Sequence, residues 1–204
     1  MTDRALAGSR NVADVVRSAL AAGAPAVQLR DKEAGAAALL EQARELLVLV
    51  RRHGALLFVN DRLDVALAAG ADGVHLGPDD LPVAAVRARA PRGFLIGYST
   101  DDPERARGAE AEGADYIGCG AVFGTSTKPD AGDVIGIRRL DEVARAVHVP
   151  VIGIGGITPE RAFEVAATRA AGIAVVGAVM AAPDPGEAVR LLLAPFAARD
   201  PAGR

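Results

Sequence analysis

The sequence predicts an α/β fold, a (β/α)8 barrel of the TIM type with its first strand truncated or missing. Three observations predict it. Short apolar runs recur along the chain, amphipathic stretches separate them, and polar residues gather where the runs end. Strand–helix alternation at this spacing calls for an all-parallel sheet, either closed into a barrel or doubly wound. Half of the 204 residues are hydrophobic but only 3% are aromatic, so Val, Leu, Ile and Ala must fill the core. That is the usual filling of parallel strands covered by helices. No Pro/Ser-rich linker or shift in composition divides the chain, and residues 1–204 read as one domain.

The chain opens with the polar MTDRALAGSR and passes straight into a helical pattern over 12–22. The first apolar run is 26–30 (AVQLR). A long helix over 36–52 follows, with Leu39, Leu40, Ala43, Leu46, Leu47 and Val50 on one face. Further runs stand at 56–60 (LLFVN), 73–76 (GVHL), 94–98 (FLIGY), 116–120 (YIGCG), 151–155 (VIGIG) and 173–177 (IAVVG). These make seven runs where a closed barrel needs eight. An unpaired edge on a barrel sheet is a liability, so the absent strand is expected before the first helix, upstream of Met1.

The net charge of −3 offers no basic surface and argues against nucleic acid as the main partner. The start has no apolar signal region, and no apolar run reaches membrane-spanning length. The single cysteine, Cys119, excludes an intramolecular disulfide framework and a Cys-rich metal cluster. A soluble cytoplasmic protein without membrane partners is the expectation.

In barrels of this kind, chemistry sits where strands end and the following loops begin. Here Gln28, Arg30 and Lys32 stand at the end of the first run, and Asn60 and Asp61 at the second. Asp79 and Asp80 follow the third, Ser99 and Thr100 the fourth, and residues 125–128 the fifth. Asp61 and Asp80 each precede a helical pattern, so either alone could be an N-cap. Their appearance on successive strand ends points instead to hard oxygen ligands for Mg²⁺, which usually takes one or two carboxylates together with substrate phosphates. Arg30, Lys32 and Lys128 add three cations, about right for a diphosphate bridged by metal. The sixth and seventh ends carry glycines, Gly153-Ile154-Gly155-Gly156 and Val176-Gly177. Glycines there serve either tight packing or close approach of the backbone to an anion, and loops after the last two barrel strands commonly bind phosphate. The residues thus ask for two phosphorylated small molecules, one held with metal and one at the glycine loops. His75 and Cys119 lie mid-strand and read as packing residues. His53 and His148 lie near helix ends, and no catalytic triad is visible.

The segments VQLRDK, FVNDRLDVAL, DGVHLGPDDLP, IGYS, ADYIGCGAVFGTSTK and VPVIGIGGITPE, in this order, resemble the thiamine phosphate synthase family across nearly the whole chain. The resemblance implies coupling of a hydroxymethylpyrimidine diphosphate to a thiazole phosphate, giving thiamine phosphate and pyrophosphate with Mg²⁺ as cofactor. It implies that Gln28, Leu29, Arg30, Asp31 and Lys32, with Asn60, Ser99 and Lys128, hold the pyrimidine diphosphate. Asp61 and Asp80 match the metal ligands. Thr125, Ser126, Thr127, Gly156, Val176 and Gly177 match the thiazole phosphate site. Lys128, Arg30, Lys32 and Ser99 are the residues expected to carry catalysis, by ionisation of the pyrimidine and loss of pyrophosphate before the thiazole nitrogen traps the cation.

The sequence departs from the family pattern at Gly124, where a proline is common, at the pair Asp101–Asp102, and at Gly177, where a serine is common. Met1-Thr2-Asp3-Arg4 stands where a strand ending in a VTD-like sequence should finish. About five or six residues are therefore expected upstream, with a valine initiator codon read as Met1. A thiazole tautomerase-like protein and a catalytically silent binder of thiamine precursors are the alternatives; retention of Asn60, Asp61, Asp80 and Lys128 favours the synthase. The segment 121–136 is long enough to be a lid over the site.

Overall fold

Seven short strands, all parallel and hydrogen-bonded in chain order, curl into a barrel wall with helices on its outer face. The structure is a computed structural model and describes residues 1–125 and 133–197. The strands are β1 (Ala26–Leu29), β2 (Leu56–Asn60), β3 (Gly73–Leu76), β4 (Leu95–Ser99), β5 (Tyr116–Cys119), β6 (Val151–Ile154) and β7 (Gly172–Ala174). The helices are α1 (Arg4–Ala7), α2 (Val12–Ala21), α3 (Ala36–Arg52), α4 (Leu63–Ala69) and α5 (Val83–Arg87), then α6 (Pro103–Ala111), α7 (Gly136–Ala146), α8 (Pro159–Ala166), α9 (Gly177–Met180) and α10 (Pro185–Ala197).

Strand alternation divides the sheet residues between two environments. Val27, Leu29, Leu57, Val59, Val74, Leu76, Ile96, Ile117, Cys119 and Val151 point outward and are buried under the helices. Leu39, Ala43, Leu46 and Val50, from the face of α3 read in the sequence, meet them there, together with Leu49. The inward positions are more polar and include Gln28, Asn60, His75, Ser99 and Tyr116. Gly73, Gly97 and Gly118 interleave with them. A Cβ at Gly73 would lie 2.8 Å from the Phe58 ring, and one at Gly97 would lie 2.1 Å from the Tyr116 ring. The glycines therefore make room for large inward side chains on neighbouring strands.

The place between β1 and β7 is taken at its upper end by the first two residues. The Met1 ammonium donates to the Val175 carbonyl at 2.8 Å. The Thr2 N–H donates to the Gln28 carbonyl at 2.9 Å. Thr2 Oγ1 accepts from the Arg30 N–H at 2.9 Å and donates to the Arg30 carbonyl at 3.3 Å. Thr2 is 3% exposed. Met1 and Thr2 thus join the end of the last strand to the end of the first. Asp3 then turns the chain by accepting the Leu6 N–H at 3.0 Å, capping α1.

The lower ends of the strands are locked by a recurring device. Asp72, just before β3, accepts the Leu57 N–H of β2 at 2.7 Å and pairs with Arg51. Asp115, just before β5, accepts the Ile96 N–H of β4 at 2.7 Å and pairs with Arg87. Each carboxylate meets a backbone donor that the sheet leaves without a partner. Asp102 is also accounted for locally: it caps α6 by accepting the N–H groups of Glu104 and Arg105, with Pro103 at the first helical position.

Two substitutions test these contacts. Thr2→Val keeps the side-chain shape but strips the Arg30 N–H of its acceptor, which costs about 1–3 kcal/mol for a buried donor. Asp115→Ala does the same to Ile96 at the opposite mouth. Circular dichroism melts should show Tm lower by several degrees in each; an unchanged Tm in both would contradict the contacts.

Candidate active site

Asp61 follows β2 directly, and its N–H donates to the His75 carbonyl at 2.8 Å, extending the pairing of β2 with β3 by one residue. Its φ of 63° is the one positive value recorded for a non-glycine residue among the described residues. Asp tolerates that region better than most residues, and the turn leads at once into α4. Asp80 comes from the loop after β3. Its Oδ2 accepts the Gly77 N–H at 2.6 Å, while its own N–H reaches back to the Gly77 carbonyl at 3.3 Å. Neither aspartate caps a helix: Arg62 and Pro82 hold the N-cap positions of α4 and α5. The turns instead bring the two carboxyl groups into hydrogen-bonding contact. Burial, the Asp80 contact and the Asp80 charge push Asp61 up from 3.8 to about 6, with Lys32 and Arg30 pulling the other way. Two like charges in contact favour a shared proton or a cation.

Lys32, Asp31 and Ala34 from the loop after β1 line a cavity of about 280 Å³ with Leu39, Asn60, Asp61 and Arg62. Asp31 does not offer its carboxylate to this space. It accepts the N–H groups of Glu33 and Ala34 through Oδ1, and the Gln42 side chain through Oδ2 at 3.1 Å, so it shapes the loop. The Leu29 side chain is 2% exposed and packs in the helix layer. Strand alternation leaves only its backbone near the mouth. Gln28 and Arg30, on either side of it, stand at the site.

The registry places Asn60, His75, Gly97 and Tyr116 level across β2 to β5. Because Gly97 carries no side chain, His75 and Tyr116 meet across it. Tyr116 Oη lies 2.8 Å from His75 Nδ1, and Ser99 Oγ lies 2.8 Å from His75 Nε2. The Tyr116 hydroxyl also bonds to the Gln28 carboxamide, and burial raises its pKa well above the ordinary 10. The Phe58 ring meets Tyr116 edge-on at 5.3 Å between centroids. A hydrogen-bonded chain thus crosses the barrel from Gln28 through Tyr116 and His75 to Ser99. His75 packs in the interior as its mid-strand position suggests, but as a polar link. Cys119 is fully buried, with its thiol pushed up to about 12 by burial, first, and by Asp101.

The glycine loops lie on the other side of the mouth. Gly155 and Gly156 have φ of 101° and 60°, and Cβ atoms there would come within 2.7 Å of Ala121 and 2.4 Å of the Gly124 carbonyl. Close packing on segment 121–124 alone explains both glycines. The same segment is paired to the end of β6 by Val122 N–H to Ile154 O at 2.8 Å and Phe123 N–H to Gly155 O at 3.1 Å. Arg161 donates to the Gly156 carbonyl at 2.8 Å and stacks over the Phe123 ring. Among the described residues, nothing accepts the N–H groups of Gly156, Val176 or Gly177. The Val176 side chain packs against the small cluster of Ala7, Val15 and Met180, so its backbone is what faces the mouth. Thr125 is half-buried beside this loop. Ser126, Thr127 and Lys128, and with them residues 126–132 of the expected lid, lie outside the described residues.

The family model for thiamine monophosphate synthase matches residues 1–179. The chain belongs to this family. It is 49% identical over 192 residues to the thiamine-phosphate synthase of Roseiflexus castenholzii, covering 94% of this chain and 84% of that protein. It is 50% identical over 184 residues to the thiamine-phosphate synthase of Methanoregula boonei, covering 90% and 85%. Among solved structures it is similar to the thiamine phosphate pyrophosphorylase of Pyrococcus furiosus, at 43% identity and a TM-score of 0.88, covering 96% and 93%.

Tyr116 was not among the candidates read from the sequence, since YIGCG presents itself as an apolar run. The available signal was the alternation of Tyr116 with Gly118 and of Gly97 with Ser99 on adjacent strands.

The carboxyl pair makes a prediction about the protein in chelator-containing buffer. Between pH 3.8 and about 6 the folded chain holds a proton on Asp61 that the unfolded chain has released. Stability from this pair is therefore full at low pH and is lost as pH rises through about 6. Asp61→Asn removes the repulsion, so its Tm should exceed the parent's by a few degrees at pH 7.5 and lose that advantage at pH 4. A Tm difference independent of pH would refute the coupling.

Proposed function

We propose that this chain is a thiamine phosphate synthase. It would join a 4-amino-2-methyl-5-(diphosphooxymethyl)pyrimidine to a 4-methyl-5-(2-phosphoethyl)thiazole, or its carboxylated form, with release of pyrophosphate. The observation that carries the reading is the contact of Asp61 with Asp80 beside Lys32 and Arg30, together with kinship to proteins named for this activity.

The donor set fits magnesium. Among the described residues no group of three or more His, Cys, Asp and Glu could hold a metal ion. A pair of carboxylates is what Mg²⁺ uses when phosphate oxygens and water complete its shell. Asp61 and Asp80 would hold it, and when bound it would neutralise charge on the diphosphate and the departing pyrophosphate. The protein's own groups carry the rest. Arg30 and Lys32, with Lys128 by family resemblance, attract the diphosphate and stabilise the negative charge that grows as the pyrimidine C–O bond breaks. Asn60, Gln28 and Ser99 orient the pyrimidine over the barrel mouth. The N–H groups of Gly156, Val176 and Gly177, which have no acceptor among the described residues, suit the thiazole phosphate. Holding the thiazole nitrogen against the reacting carbon lets it form the new C–N bond before water does. No side chain need act as a nucleophile, which suits a site without a triad.

Among the described residues no helix is long and apolar enough to cross a membrane. We read the protein as a cytoplasmic enzyme acting on small phosphorylated molecules.

The test is formation of thiamine phosphate from both substrates, with and without Mg²⁺. Turnover should require the metal. Asp61→Ala and Lys128→Ala should each lower kcat by about 10²-fold or more, without loss of folded structure by circular dichroism. Near-parental turnover in both variants would remove the assignment.

A further inference from the structure

Arg161 carries its charge to a place where the fold alone gives it little reason to be. It is the third residue of α8, in the first turn with Pro159 and Glu160. A helix N-terminus is a positive end, and a cation there is unfavourable. Glu164, three residues on, stands at the spacing of a helical ion pair. Among the described residues, however, Arg161 pairs with no carboxylate. Its side chain runs back toward the N-terminus of α8, as helical side chains lean, and Nη1 donates to the Gly156 carbonyl at 2.8 Å. The guanidinium lies over the Phe123 ring, 4.8 Å from its centroid. It is thereby fixed at the barrel mouth, between the glycine loop after β6 and segment 121–124. That seat is firm. A Cβ on Gly156 would fall 2.4 Å from the Gly124 carbonyl, and the Phe123 N–H donates to the Gly155 carbonyl at 3.1 Å.

The position meets a need of the proposed site. Arg30, Lys32 and Lys128 are all assigned to the diphosphate, which leaves the thiazole phosphate to the N–H groups of Gly156, Val176 and Gly177. A phosphate monoester carries about −1.5 to −2 charge near neutral pH, whereas backbone N–H groups carry no net charge. By standard backbone dimensions, Arg161 Nη1 lies within about 7 Å of the Gly156 nitrogen. An anion on that N–H is then within about one screening length of the guanidinium at moderate salt. The contact also neutralises the negative end of the Gly156 carbonyl beside the same donor. We propose that Arg161 supplies the counter-charge of this second anion subsite. It is a positioning residue, acting through space and through the Gly156 loop without touching substrate, and it makes the glycine loops hold a phosphorylated ligand. This rests on the proposed function and adds to it the cation that the second phosphate otherwise lacks.

The test measures binding of thiazole phosphate by calorimetry, in the presence of Mg²⁺-pyrophosphate, to the parent, Arg161→Gln and Arg161→Lys. Arg161→Gln keeps an N–H donor without the charge, and Arg161→Lys keeps both. Affinity should fall about 10-fold in Arg161→Gln and stay near the parent's in Arg161→Lys. The gap between parent and Arg161→Gln should narrow as salt is added, while Mg²⁺-pyrophosphate binds all three alike. A clamp that served packing alone would leave a gap that salt does not change. In NMR spectra of the parent, the Arg161 Nε–H signal, assigned with Arg161→Lys, should shift when thiazole phosphate is added. Equal affinities in parent and Arg161→Gln, a gap indifferent to salt, no recovery in Arg161→Lys, or a stationary Nε–H signal would each overturn the proposal, the last even if Arg161→Gln failed to fold. A parent that binds Mg²⁺-pyrophosphate but no thiazole phosphate would instead bring down the reading of the glycine loops.

Discussion

Asp61 and Asp80 are held in contact by two backbone turns, and the arrangement at the barrel mouth is organised around that forced proximity. The left-handed turn at Asp61 and the Gly77–Asp80 loop bring the carboxyl groups together. Burial first, and then the contact and charge of Asp80, hold Asp61 up at about 6, so the ionised pair is unfavourable near neutral pH without a counter-charge. Lys32 and Arg30 offset part of this but do not remove it. An arrangement that costs stability and is kept by the surrounding backbone is what a site prepared for a cation and an anion together requires.

The two mouths of the barrel use the same residue type for opposite ends. Below, Asp72 and Asp115 each accept a strand N–H and pair with an arginine, so their charge is satisfied within the fold. Above, the carboxyl groups of Asp61 and Asp80 are in hydrogen-bonding contact with each other. The difference lies in which backbone donors lie within reach. The lower aspartates precede a strand and reach the neighbouring strand's free N–H. Asp61 follows a strand, with its own N–H already spent on His75. Met1 and Thr2 complete the upper mouth by bonding to both Val175 and Gln28, so residues from β1 and β7 share one rigid rim.

Much of this was legible in the sequence because parallel strands buried under helices are continuous apolar runs. All seven runs became strands, and the outward face of each is the apolar set. The last run shifted, from 173–177 to Gly172–Ala174, because Val175 is drawn to the Met1 ammonium and Gly177 begins a helix turn. The convergence of Asp61 and Asp80 was legible from their places at successive strand ends. The engagement of the Asp31 carboxylate with its own loop was not, since nothing in VQLRDK distinguishes a ligand from a turn former. The barrel interior was the least legible part. Tyr116 and His75 meet only because Gly97 lies between them in register, and register is a property of three strands at once rather than of any one segment.

The most direct measurement is a ¹³C NMR titration of the Asp61 side-chain carboxyl in metal-free protein and again with Mg²⁺. The account predicts a midpoint near pH 6 without metal and a large downward displacement when Mg²⁺ is added. A midpoint in the ordinary aspartate range, unmoved by Mg²⁺, would contradict it.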